Sequence, residues 1–297
     1  MESRIQNINE ALIDEIVRAM GLPRFRILHR LIHLLFGRGT QRFAELIVRL
    51  DREVERNGAM MGARWLLSHF VTGYEARGEQ LIPSSGPLII ASNHPAAYDA
   101  MVISACVPRP DFNIIIGEMP TLRFLPNISR LGIFSPHPRD VFGRMITVRH
   151  AIQHLNAGGA LLTFPRVGIE PDPDFMPNPD REFPRWSRSL EVFLRSVPRT
   201  RVLITIVSGV ISRRMFHHPI TWLRKHRQDK QRLAFMFQII RQVLKGRELF
   251  GLKPMVTFGE LLTSLHPGNI QLEVEQAARR TLLRHLELLR QEQELFQ

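Results

Sequence analysis

Ile5, Ile8, Leu12, Ile13, Ile16 and Met20 recur at the spacing of one helical face, which predicts an amphipathic helix over residues 5–20, ended by Gly21 and Pro23. Residues 24–36 have a different character. Arg24, Arg26, His29, Arg30 and His33 interleave there with Phe25, Ile27, Leu28, Leu31, Ile32, Leu34, Leu35 and Phe36, and Gly37 closes the run. A short helix this basic and this apolar either lies in a lipid interface or packs as a core helix of an N-terminal cap, and the pattern leaves both open. Phe43, Leu46, Ile47, Leu50 and Val54 predict a third helix over residues 40–57, with Gly58 just beyond it.

From about residue 70 the pattern changes to short apolar runs separated by helical stretches. Leu88–Ser92, Asn113–Gly117, Ala160–Phe164, Val202–Val207 and Met255–Phe258 are the candidate strands, with helices after Asp99 and over Val141–Asn156 between them. The alternation predicts an α/β class: a mixed sheet flanked by helices and preceded by an N-terminal helical segment, dividing the chain into residues 1–70 and 71–297. Six prolines within residues 165–184 predict an extended ordered loop. Asp172, Asp174 and Asp180 lie along it, as metal ligands or, more commonly for such residues, as solvated acids. A last helix over about 271–295 carries Leu282, Leu283, Leu286, Leu289 and Leu295 as a docking stripe.

With 297 residues and 44% hydrophobic content, the chain has material for a real core. No run approaches the length of a membrane span, and no segment has the order of a signal peptide, so the expected location is cytoplasmic, peripheral at the cytoplasmic membrane face. The single cysteine, Cys106, excludes an intramolecular disulfide and a cysteine-based zinc site, and its apolar neighbours mark it as a core residue. No metal or cofactor is expected. The net charge of +12 is concentrated: residues 181–297 carry +11 of it. Within 213–247, ten Lys or Arg face one acid, Asp229. Such a face implies an anionic partner or a solvated helix surface. Nucleic acid has little support, because Phe216, Trp222, Phe235 and Phe237 are spaced there like a helix core rather than a stacking platform.

The candidate chemistry lies just after the first strand, in Ser92-Asn93-His94-Pro95-Ala96-Ala97-Tyr98-Asp99. Ser92, Asn93 and Pro95 read as a helix start, which places His94 at a strand-to-helix turn and Asp99 about one turn into the helix. An imidazole there opens to substrate while a carboxylate behind it fixes the tautomer, which is general-base chemistry in outline. The spacing alone is weak, since about 0.4 such His-x4-Asp matches are expected by chance. In open α/β sheets ligands gather at the carboxyl ends of strands, where His94 and the segment after Phe164 both lie.

The region from about residue 72 to 262 resembles the glycerolipid acyltransferase superfamily, the PlsC-like lysophosphatidic acid and glycerol-3-phosphate acyltransferases. Four ordered blocks carry the resemblance. Asn93-His94-Pro95-Ala96-Ala97-Tyr98-Asp99 matches the family's NHxSxxD block apart from its serine. Gly132-Ile133-Phe134 followed by Arg139 resembles the stretch that binds the acceptor, lengthened here by Pro136, His137 and Pro138. Phe164-Pro165-Arg166-Val167-Gly168-Ile169-Glu170 stands where the family has FPEGTR, with Arg166 in the glutamate's place, Gly168 displaced by one position and a glutamate returning only at Glu170. Val202 to Gly209 takes the place of the family's late VPV-type strand.

The resemblance implies an O-acyltransferase. His94 would deprotonate an acceptor hydroxyl, oriented by Asp99, and the hydroxyl would attack the thioester of an acyl-CoA or acyl carrier protein. The acceptor would be glycerolipid-like, such as lysophosphatidic acid or glycerol 3-phosphate, met at an anionic membrane surface. Arg139, Arg144, Phe164, Pro165, Arg166, Gly168 and Glu170 are the expected substrate-binding residues. Arg166 either binds a phosphate or carboxylate with Arg139 or Arg144 opposite, or is a surface residue of a partly lost site. The competing reading is a degenerate acyltransferase fold that binds lipid or acyl chains without turnover.

Overall fold

A seven-stranded sheet forms the centre of the molecule, in a computed structural model that describes residues 2–21, 25–136, 139–166, 168–186, 189–263, 265–266 and 268–295. Two helices come first, α1 (Glu2–Ala19) and α2 (Arg26–Leu67). Then β1 (Glu75–Arg77), β2 (Leu88–Ser92), α3 (Tyr98–Ser104), β3 (Phe112–Gly117), α4 (Pro126–Ser129), β4 (Gly132–Ser135), α5 (Val141–Asn156) and β5 (Ala160–Thr163) follow in order. The chain continues through α6 (Ser189–Ser196), β6 (Arg201–Ser208), α7 (Arg213–Phe216), α8 (Arg227–Lys245), β7 (Met255–Leu262) and α9 (Ile270–Leu295).

The strand order is β1-β7-β6-β2-β5-β3-β4. The five strands from β6 to β4 run parallel, and β7 turns antiparallel against β6, so the sheet is mixed as expected. The central strands read as continuous apolar runs because both faces are covered. Leu88 and Ile90 of β2 pack with Leu162 and Leu203 on the face that also holds Leu66, Leu67, Val102, Ile103 and Ala234. Ile89 and Ala91 point the other way, against Ala151, Leu155, Phe193, Ala277 and Leu282. Helices α2, α3 and α8 thus cover one face, and α5, α6 and α9 the other. Each of the Leu, Ile, Val and Phe side chains among these contributes about 1.5–3 kcal/mol by leaving water.

Several expectations are corrected. From Arg26 to the kink at Gly58 the chain runs as one helix rather than as separate helices over 24–36 and 40–57, so Gly37 does not end the first, while the end expected just before Gly58 is found there. Gly39 lies against Ile240 and Leu244, so α2 and α8 approach closely there, and this packing outweighs the helix penalty of about 1 kcal/mol per glycine. The break comes at Gly58, whose φ of 80° lies outside the helical region. Arg24 and Pro23 lie outside the described residues. Strands β1 and β4 were not among the candidates, and the strand expected over Ala160–Phe164 ends at Thr163. Cys106 is buried, with its thiol pushed up to about 12 by burial, as suits a core residue. The acids of the Pro-rich loop are not all solvated. Asp172 is fully buried and accepts hydrogen bonds from the N–H groups of Asp174, Gly209, Val210 and Ile211, pinning the loop to the end of β6. Among the described residues no cluster of three metal-ligating side chains occurs, and no helix is long and apolar enough to cross a membrane.

Candidate active site

Because β6, β2, β5, β3 and β4 are parallel, the segments following β2 and β5 emerge side by side at one edge of the sheet. Asn93, the first residue past β2, prolongs the strand with its side chain. Its amide donates to Val207 O (2.9 Å) and accepts from Val207 N–H (2.8 Å). The main chain is thereby released from the ladder at residue 93 and turns, and His94 projects from the turn. The helix begins later than the sequence suggested: Ser92 still belongs to β2, α3 starts at Tyr98, and Asp99 sits in the first turn rather than one turn in.

His94 Nδ1 and Asp99 Oδ2 are 2.8 Å apart. Asp99 is fully buried and also accepts from the N–H groups of Ala96 (3.2 Å) and Ala100 (2.6 Å), so its carboxylate is held from three sides. This orientation assigns the proton of a neutral imidazole to Nδ1 and leaves Nε2 as the basic nitrogen. The side chain of His94 is 30% exposed, and its ring stacks on Phe164 with centroids 4.4 Å apart. Burial alone would depress the imidazole pKa. The charge and hydrogen bond of Asp99, with the charge of Glu170, outweigh it and raise the pKa above 6.5, against the opposing charge of Arg232.

Glu170 holds the same turn from behind. Its Oε2 accepts from His94 N–H (2.7 Å), its Oε1 accepts from Trp186 Nε1 (2.9 Å), and its own N–H donates to His94 O (2.8 Å). Burial pushes this carboxyl up to about 7, against the lowering effect of those hydrogen bonds and of the His94 charge. The path from β5 to Glu170 passes through Gly168 at φ 114°, a conformation that favours glycine, with Gln228 against it. Glu170, four positions after Arg166, thus brings its carboxylate to the histidine turn.

The remaining expected residues divide into two groups. Phe164 and Pro165 follow β5 beside His94, and Arg166 is turned to an ion pair with Glu182 (2.7 Å). Arg139 and Arg144 are exposed on the connection from β4 into α5. β4 lies three strands from β2, about 14 Å at the usual strand spacing. Val167, His137 and Pro138 lie outside the described residues.

Other residues join the site without having been expected there. Gln231 of α8 is fully buried and donates to both Pro95 O (3.2 Å) and Glu170 O (2.7 Å), tying the two loops together. Arg227 donates to Ile169 O (3.1 Å) and pairs with Glu182 (3.2 Å), which Arg185 also approaches. Part of the basic stretch is therefore spent inside the molecule, as is Arg224 on Asp229 (2.8 Å) and Arg213 over the Phe175 ring. Glutamines at 231, 238 and 242, all on the buried side of α8, were the available signal.

Residues 73–177 match the family model described as Acyltransferase. No curated protein matches the chain. Among solved structures, the chain is similar to the crystal structure of the 1-acyl-sn-glycerophosphate (LPA) acyltransferase PlsC from Thermotoga maritima. That pair shows 15% identity and a TM-score of 0.44, over 95% of this chain and 98% of that one.

Proposed function

The chain carries an acyltransferase-family segment over residues 73–177, and from that premise we propose that it transfers a fatty acyl group from an acyl thioester, acyl-CoA or acyl carrier protein, to a hydroxyl of a glycerolipid-type acceptor such as lysophosphatidic acid or glycerol 3-phosphate. The observation that carries the proposal is the His94–Asp99 pair at 2.8 Å, seated at the carboxyl end of the central strand with Glu170 fixed behind it.

His94 Nε2 takes the proton of the acceptor hydroxyl as its oxygen attacks the thioester carbon. Asp99 stabilises the imidazolium formed. As the tetrahedral intermediate collapses, the C–S bond breaks and the thiolate leaves with the proton from His94. The buried Asp99 and the main-chain bonds of Glu170 keep the ring in one orientation through both transfers, so little reorganisation is needed in the transition state.

Contact with an anionic membrane surface is supported by the start of α2. Phe25, Ile27 and Leu34 are 67%, 82% and 80% exposed, and Leu31 and Leu35 are also exposed, whereas Ile32 is buried against α1 and α8. Ile32 packs into the molecule, while the exposed Phe25, Ile27, Leu31, Leu34 and Leu35 with Arg30 support the lipid-interface reading. Trp222 and Leu223, in a turn whose Arg224 lies against Gly21, are exposed as well.

Thiol release from palmitoyl-CoA, with and without a panel of lysophospholipid and glycerol-phosphate acceptors, tests the reaction. Acceptor-dependent release in the wild type, lost in a folded His94→Ala variant, is expected. Release that survives in the variant would sink the reading. No release with any acceptor, nor with carrier-protein donors, would favour a fold that binds acyl chains without turnover.

A further inference from the structure

Arg232 carries a charge that acyl transfer as written above leaves unused. Helix α8 lays three side chains in succession on the candidate site. Gln228 lies against Gly168, Gln231 bonds to Pro95 O and Glu170 O, and Phe235 packs edge-on to the Tyr98 ring with centroids 4.9 Å apart. Arg232 follows Gln231 directly, one turn after Gln228 and one turn before Phe235, which puts it on the flank of this same helix face. It is exposed, and among the described residues it makes no ion pair. Arg166, Arg185 and Arg227, by contrast, all converge on Glu182. The groups whose charge bears on the His94 ring are Asp99 from α3, Glu170 from the loop after β5 and Arg232 from α8.

A guanidinium at the rim of a base, with no carboxylate to neutralise it, is suited to a phosphate, which offers several acceptor oxygens to its planar fork. We propose that Arg232 binds a phosphate group of a substrate at the mouth of the His94 site. The phosphate belongs either to the acceptor or to the thioester donor. For its substrates this rests on the acyltransferase reading; for the anion it does not.

Two measurements test it together. The first follows the His94 imidazole by NMR as a function of pH, in the full-length protein, with glycerol, glycerol 3-phosphate or CoA added. A phosphate bound at Arg232 offsets a charge that holds the imidazole pKa down. Glycerol 3-phosphate or CoA is therefore expected to raise that pKa while glycerol leaves it alone, and Arg232→Ala is expected to raise it without ligand and to abolish the ligand effect. The second compares steady-state kinetics. Arg232→Ala is expected to raise the KM of one substrate about ten-fold while kcat falls far less, with Arg232→Lys between the two. A rise for lysophosphatidic acid identifies the acceptor as the phosphate source, and a rise for palmitoyl-CoA identifies the donor. Phosphate-induced shifts that persist in Arg232→Ala, or KM values unchanged for both substrates, would overturn the proposal. A wild type that turns over no acceptor would defeat the acyltransferase reading, and the titration would then decide the role of Arg232 by itself.

Discussion

The turn that bears His94 and the first turns of α2 are opposite solutions to the use of a side chain. At the turn, Asp99, Glu170, Asn93 and Gln231 are buried and paired. Asp99 accepts three hydrogen bonds, Glu170 accepts two, Asn93 reproduces a strand pairing, and Gln231 ties the two loops. At the start of α2, large apolar side chains stand in water, where they cost solvation free energy, with Ile32 and Phe36 holding the helix to its neighbours. Acid–base chemistry needs one geometry, held to within a fraction of an ångström, and buried carboxylates bonded on several sides supply it. Contact with a fluid lipid surface needs apolar area and charge without a fixed register, which an exposed helix face supplies.

Substitutions that break the first region are expected to act on turnover, and those in the second on location. His94→Ala should give the largest effect, a fall in kcat of about a thousand-fold with an unchanged far-ultraviolet spectrum, because it removes the base itself. Asp99→Asn should lower kcat by about a hundred-fold, since an amide neither selects the right tautomer nor stabilises an imidazolium; stopped assays at saturating acceptor would measure it. Glu170→Gln presents an NH2 group to one of two N–H donors, those of His94 and Trp186, so one hydrogen bond is lost. That change should lower stability by about 1–3 kcal/mol, read by urea denaturation, together with a smaller loss of kcat than Asp99→Asn. The double change Ile27→Asp with Leu34→Asp should abolish sedimentation with anionic vesicles while leaving turnover of a water-soluble short-chain acceptor within about two-fold. Loss of that soluble activity would show that the face is structural after all.

The legibility of the molecule in its sequence follows the same division. β2, with every residue buried, was recognisable to the residue. The bounds of α5 and α9 were recognisable within a residue although Val141, Phe142, Met145 and Ile146 of α5 and Leu283 of the expected α9 stripe are exposed, the docked face of α9 being Ile270, Val274, Ala277, Ala278 and Leu282. β1 and β4 escaped notice because they are three and four residues long and lie at the two edges of the sheet, where Glu75 and Arg77 flank a single apolar residue in β1 and Gly132 and Ser135 leave only Ile133-Phe134 in β4. The break at Gly58 was legible as the end of the helix over 40–57, whereas Gly37 does not break α2, because packing against α8, which no local pattern reveals, carries the helix through. At the site, His94 and Asp99 could be found from their spacing and the four ordered blocks. The way Glu170 reaches His94 depends on the turn at Gly168, and the role of Gln231 depends on how α8 docks. Both are properties of the folded chain.

The central claim is that His94 acts as a neutral base whose Nε2 is kept free by Asp99. It is tested most directly by measuring the pH dependence of kcat/KM beside the NMR titration of the His94 imidazole in the same buffer. Since the imidazole pKa is raised above 6.5, the account predicts that activity falls as pH drops through that raised value, and that the kinetic and spectroscopic midpoints coincide. Full activity persisting well below the pH at which His94 becomes charged would contradict it.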